Sequence, residues 1–113
     1  MEYPPEATFY VRLSLMNPNP GEDEKVSELL DDMLAYLPGC DGYVRGYKLT
    51  SGDPQGRIGR LGVWRSEEDA DRAANTQHVL SVRSELLLHI EEDSHIERSY
   101  TAYDPHVAQA SAS

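Results

Sequence analysis

Residues 7–16, ATFYVRLSLM, alternate between apolar and polar positions. Phe9, Val11, Leu13 and Leu15 fall on one side and Thr8, Tyr10, Arg12, Ser14 and Met16 on the other, the two-residue period of a half-buried strand. The turn residues NPNPG end it, and from Glu22 the period changes. Val26, Leu29, Leu30, Met33, Leu34 and Leu37 then form one apolar stripe at helical spacing. Acids crowd the first turn, where the helix dipole favours them, and Pro38-Gly39 stops the helix. Residues 42–50 and 57–65 predict two strands joined by SGDPQG, an antiparallel hairpin with a long loop. Gly46, Gly59 and Gly62 dilute their alternation, so the facing of these strands stays open.

Ser66 predicts a helix cap, with Asp69 three residues on in the place of a capping-box acid. Ala70, Ala73 and Ala74 give the helix a small-residue face before NTQ interrupts it. A second helix carries Val79, Val82, Leu86 and Ile90, and HIERSYTAY (95–103) reads as a last strand. The order βαββααβ predicts an α+β, ferredoxin-like fold: a four-stranded antiparallel sheet with helices on one face. We expect residues 1–6 to be an N-terminal extension, 7–103 a single domain and 104–113 a loose tail. The uncovered sheet face, expected to carry Tyr10, Arg12 and either Tyr47 or Trp64, is too large and aromatic to stay wet. An isologous homodimer would bury it.

The 113 residues carry 20 acids against 10 bases, a formal net charge of −10, which disfavours binding to nucleic acid. Most acids fall in the expected helices, whereas Arg12, Arg45, Lys48, Arg57, Arg60, Arg65 and Arg98 fall on or beside strands. No apolar run approaches the ~20 residues of a membrane-spanning helix. The start MEYPPEA has no secretory-signal character, and the lone Cys40 predicts no internal disulfide, so a cytoplasmic protein is expected.

PGEDEKVSELL, LPGCDGYVRGYKL and VWRSEEDADRAANTQHV together resemble the antibiotic-biosynthesis-monooxygenase-like proteins of the dimeric α+β barrel group. The likeness runs from about residue 9 to residue 103 and rests on Pro20-Gly21, Pro38-Gly39 and Trp64-x-Ser66-x-Glu68 with Thr76-x-His78. It implies a pocket between sheet and helices in each subunit of a homodimer. It also implies an oxygenase that works on quinol-type aromatics without metal or flavin, or a relative with no reaction. The haem-degrading branch of that family uses an Asn, a Trp and a His where this chain has Val11, Arg72 and Arg83. None matches, so no haem chemistry is carried over.

Within this frame the candidate residues are His78 as a general base, Arg72 or Arg83 to hold a substrate anion, and Trp64 with Tyr47 as aromatic walls. His78 opens the second half of the broken helix, where the positive helix end favours a neutral ring that accepts a proton. Trp64 has an equally simple reading as a core residue closing the strand end. The sheet arginines either pair with acids or focus a positive potential for an anionic or phenolate ligand. Asp41 beside Cys40 disfavours a nucleophilic thiolate. His78, His89, His95 and His106 show no metal-ligand spacing, and neither metal nor cofactor is expected. The function expected is a cofactor-independent monooxygenase of a small aromatic substrate. The alternative is a non-catalytic homodimer of the same fold that binds a small ligand or assists a pathway.

Overall fold

The alternation at residues 7–16 produces a central strand, β1 (Thr8–Met16), that pairs on both sides. The chain continues through α1 (Asp23–Tyr36), the hairpin strands β2 (Tyr43–Leu49) and β3 (Ile58–Trp64), the helices α2 (Glu67–Ala74) and α3 (Gln77–Leu88), and β4 (Ile96–Tyr103). This computed structural model describes residues 3–53 and 56–107. Met1 and Glu2, the hairpin tip at Pro54-Gln55 and residues 108–113 of the tail lie outside the described residues. The strands form one antiparallel sheet in the order β2-β3-β1-β4, the ferredoxin-like arrangement expected from βαββααβ. The stretch before β1 is tied down: Ala7 is fully buried, and its carbonyl accepts the Asp104 amide at 2.7 Å.

Each helix follows the pattern that predicted it. Val26, Leu30, Met33 and Leu37 bury the stripe of α1 and its C-terminal turn, while Leu29 and Leu34 flank it at partial exposure. Ser66 caps α2, its hydroxyl accepting the Asp69 amide at 3.2 Å and donating to the Asp69 carboxylate at 3.0 Å. Thr76 closes the break, donating to the Ala73 carbonyl at 2.8 Å and capping α3 through the Val79 amide. Val26, Met33, Trp64, Ala73, Val79 and Leu86 meet in one core between sheet and helices.

The facing of the sheet corrects the expectation. Tyr10, Arg12, Ser14 and Met16 point toward the helices, because Met16 and Trp64 are each 2% exposed and Arg12 is ion-paired with Asp71 on α2. Tyr10 lies opposite Trp64 and packs against the core rather than on the bare face. The row Phe9, Val11, Leu13 and Leu15 therefore forms the outer face. Register places Val63 and Leu61 of β3, and Tyr100 and Ile96 of β4, beside it. Only Tyr47, 46% exposed and bonded to Arg45, stands outside as expected. Alternation separates two faces but carries no label for which one its own helices cover. Here the purely aliphatic and aromatic row was left for something else.

Close backbone approach explains one strand glycine. A Cβ on Gly59 would stand 1.8 Å from the Ser14 carbonyl oxygen, so only glycine fits where β3 crosses β1.

Candidate active site

Across the sheet, Ser14 lies opposite Arg60 on β3 and opposite Glu97 on β4. This row of three polar residues crosses the helix-covered face at the level where α2 gives way to α3. Above it, Ala70, Ala73 and Ala74 of α2 are too short to fill the layer, and a cleft remains between sheet and helices. Its roomiest part, about 220 Å³, is lined by Arg12, Ser14, Arg60, Arg83, Glu97 and Arg98, among others. One end runs to Trp64 and Val79, and the other to Met33, Ile90 and His95. Gly62 keeps the floor low: a Cβ there would meet Trp64 Nε1 at 3.0 Å and Arg60 Nη1 at 3.7 Å.

Ser14 Oγ and His95 Nε2 are 2.8 Å apart and part-buried. Burial pushes the His95 imidazolium below its ordinary range; Glu97 pulls it back, and Arg83 and Arg60 push it down again. The ring is therefore neutral at pH 7, and one nitrogen is a lone-pair acceptor. In one tautomer Nε2 accepts the Ser14 hydroxyl proton; in the other Nε2–H donates to it.

The cations differ in how they are held. Arg12 donates to Asp71 and, at 3.2 Å, to the Tyr10 hydroxyl. Arg83 reaches from α3 to Glu97 of β4 at 3.4 Å, spanning the cleft. Arg60 is half-buried, and loss of solvent lowers its pKa; Glu97 opposes that, while Arg83 and Arg12 reinforce it. Among the described residues no carboxylate pairs with Arg60 directly, since Asp71 and Glu97 are engaged elsewhere.

Of the residues expected from sequence, the structure brings Trp64 and Arg83 together at this cleft. Trp64 is buried in the core, edge-on to Tyr43 at 5.2 Å, and lines one end of the space. His78 stands apart: it stacks on Tyr36 at 4.2 Å and bonds Asp32 of α1 at 3.0 Å. The α3 N-terminus turns it toward α1 and away from the sheet. Arg72 pairs with Asp69 at 2.8 Å and borders a separate surface hollow beside Cys40 and Asp41. Tyr47 lies on the opposite face of the sheet. Burial first and then Asp41 push the Cys40 thiol up, which leaves it a poor nucleophile.

Sequence reasoning missed Ser14, Glu97 and His95 as site residues and named Arg60 only as one of several sheet cations. A signal was present. His95, Glu97, Ser99 and Thr101 alternate along the last strand, and the polar row of β1 is their counterpart. Joining the two needs the register, which bridges 81 residues between Ser14 and His95. His89 belongs to folding, holding Glu22 and Glu85 at 3.2 and 3.4 Å. No group of three or more metal-binding side chains exists among the described residues, and no helix among them is long and apolar enough to cross a membrane.

No protein-family model and no curated protein matches the chain. Solved structures do. Rv0793 from Mycobacterium tuberculosis superposes with a TM-score of 0.74 at 21% identity, covering 86% of this chain and 96% of its own. A putative antibiotic biosynthesis monooxygenase from Nitrosomonas europaea gives 0.72 at 19% identity, covering 80% of this chain and 95% of its own. SnoaB, a cofactor-independent oxygenase from Streptomyces nogalater, gives 0.66 at 18% identity, covering 86% and 93%. These identities speak to the fold alone, and the chain shares its fold with these structures.

Proposed function

We propose that the protein is a cofactor-independent monooxygenase of a small phenol or quinol. The observation that supports it is the neutral His95 bonded to Ser14 beside two guanidinium groups in a part-buried cleft. His95 takes the phenolic proton, with Ser14 orienting the ring nitrogen, and Arg60 and Arg83 stabilise the phenolate. The electron-rich anion then reduces oxygen itself. One oxygen atom joins a ring carbon and the other leaves as water, with the substrate supplying all four electrons and two protons. Relatives in fold named as monooxygenase and oxygenase favour the same chemistry.

The working unit is a cytoplasmic homodimer closed across the outer sheet face, where Leu13 and Leu15 are only part-buried. Two copies related by a twofold axis bury this row against itself. The His78 role anticipated from sequence becomes the control, since a base must reach the proton it removes.

Oxygen uptake by the purified protein over a panel of quinols tests the reading. Uptake that depends on His95 and not on His78 supports it. If no quinol gives uptake above buffer, the oxygenase reading fails, and the cleft is that of a non-catalytic ligand-binding dimer.

A further inference from the structure

We propose that the cleft selects a single-ring aromatic monocarboxylate that also bears a phenolic hydroxyl, its carboxylate on Arg60 and its hydroxyl at the Ser14–His95 pair. The phenolic half of this assignment rests on the oxygenase reading; the carboxylate half stands on Arg60 alone.

Charge within the cleft leads to it. Arg12 is neutralised by Asp71 and Arg83 by Glu97, while Arg60 has no direct partner among the described residues. Arg98, a further cation of the lining, bonds the Glu97 carbonyl rather than a carboxylate, so the cleft keeps a net positive charge inside a protein of net charge −10. A guanidinium does not escape this by losing its proton, so a desolvated one is stabilised by an anion brought from outside. Its planar fork matches a carboxylate through two parallel hydrogen bonds. The Arg60 fork, the half-buried one without a carboxylate, takes one carboxylate. A phosphate dianion would place excess negative charge beside Glu97, which already couples to Arg60.

Size and spacing narrow the class further. The open part of the cleft is about 220 Å³. A cavity of about 150 Å³ admits one benzene ring, so a single substituted ring fits. Arg60 and Ser14 are register partners on adjacent strands, and such strands lie about 4.8 Å apart. Groups at two ends of one ring therefore reach both. Trp64 and the α2 alanines line an adjoining apolar hollow that shares Arg12, Arg60, Arg83 and Glu97 with this space.

Calorimetric titration of the full chain at pH 7.5 with 2,5-dihydroxybenzoate, hydroquinone and benzoate tests the assignment. Dihydroxybenzoate is expected to bind at least about tenfold tighter than hydroquinone, the scale of one charge-assisted bond. Benzoate should bind measurably without any phenol. Arg60→Gln should erase the advantage of the carboxylate, and Arg60→Lys, which keeps the charge without the fork, should retain part of it. The Gln variant should melt no lower than the parent, because it relieves an unpaired desolvated charge. Equal affinities for dihydroxybenzoate and hydroquinone, absence of binding by all three, or a preference that survives Arg60→Gln would each overturn the proposal. Should the Gln variant not fold, the wild-type ratio and the Lys variant still decide. A carboxylate preference without oxygen uptake sinks the oxygenase reading and leaves the carboxylate half of this one standing. Uptake of oxygen with hydroquinone and no carboxylate preference does the reverse.

Discussion

The two faces of the sheet solve opposite problems with the same strand. On the helix side, β1 presents Tyr10, Arg12, Ser14 and Met16, and the polar members find partners: Ser99, Asp71 and His95. On the outer side it presents Phe9, Val11, Leu13 and Leu15, beside which Arg65 lies over the Phe9 ring at 5.2 Å. The more apolar face is thus the uncovered one. A core between layers tolerates polar residues when each is bonded, and the short alanines of α2 leave space above them for a ligand. An outer face of aliphatic side chains gains nothing from water and much from a twin. The proposed chemistry uses the face where polar groups are enclosed, and the proposed association uses the other.

The largest effect that could break this division is on the outer face. Leu13→Asp removes a side chain worth about 1.5–3 kcal/mol of burial, twice over by symmetry. Sedimentation should show the dimer weakened by about 10²–10⁴-fold, while single-turnover chemistry in the cleft persists. If the variant sediments like the parent, the outer face is not the interface. On the inner face, His95→Ala should lower kcat/KM by about 10²–10⁴-fold, as loss of a general base does. His78→Ala should stay within about twofold of the parent, since its ring bonds Asp32 and stacks on Tyr36, away from the cleft. The reverse ranking would move the base to the other side of α3.

Gly59→Ala should damage both faces at once, because the added carbon drives β3 off the Ser14 carbonyl. Urea unfolding should show a loss of about 1–3 kcal/mol or more. Ser66→Ala should cost about 1 kcal/mol through the α2 cap and reach the cleft only through its wall. The smallest effect is on pH. His95 is held below its ordinary value of about 6.5, so the unfolded chain binds its proton first as pH falls. Its contribution to stability is whole above about 6.5 and is lost as pH drops through the lowered value. The acid limb of kcat/KM should accordingly lie below 6.5. Arg60→Gln removes one of the charges that depress His95 and should move that limb upward, by a few tenths of a unit.

Much of the architecture was legible because its signals are local. The α1 stripe, the Pro38-Gly39 stop, the Ser66 cap and the break at NTQ each depend on residues within one or two turns of each other, and each appears as expected. The site was less legible. Trp64 and Arg83 are placed at the cleft, but His78 was favoured for its position at a helix start, and rotation about the α3 axis carries it to α1. His95 carries no local mark at all; its meaning comes from Ser14, at the far end of the chain.

By itself, then, the order of residues determined the elements, their sequence and the existence of two unlike sheet faces, because periodicity and capping act over a few residues at a time. Tertiary structure alone decided which face the helices cover, which histidine meets the serine and that Arg60 stands half-buried without a carboxylate. Those outcomes depend on strand register and on how far α2 and α3 stand off the sheet, and both are set by packing between segments distant in the chain.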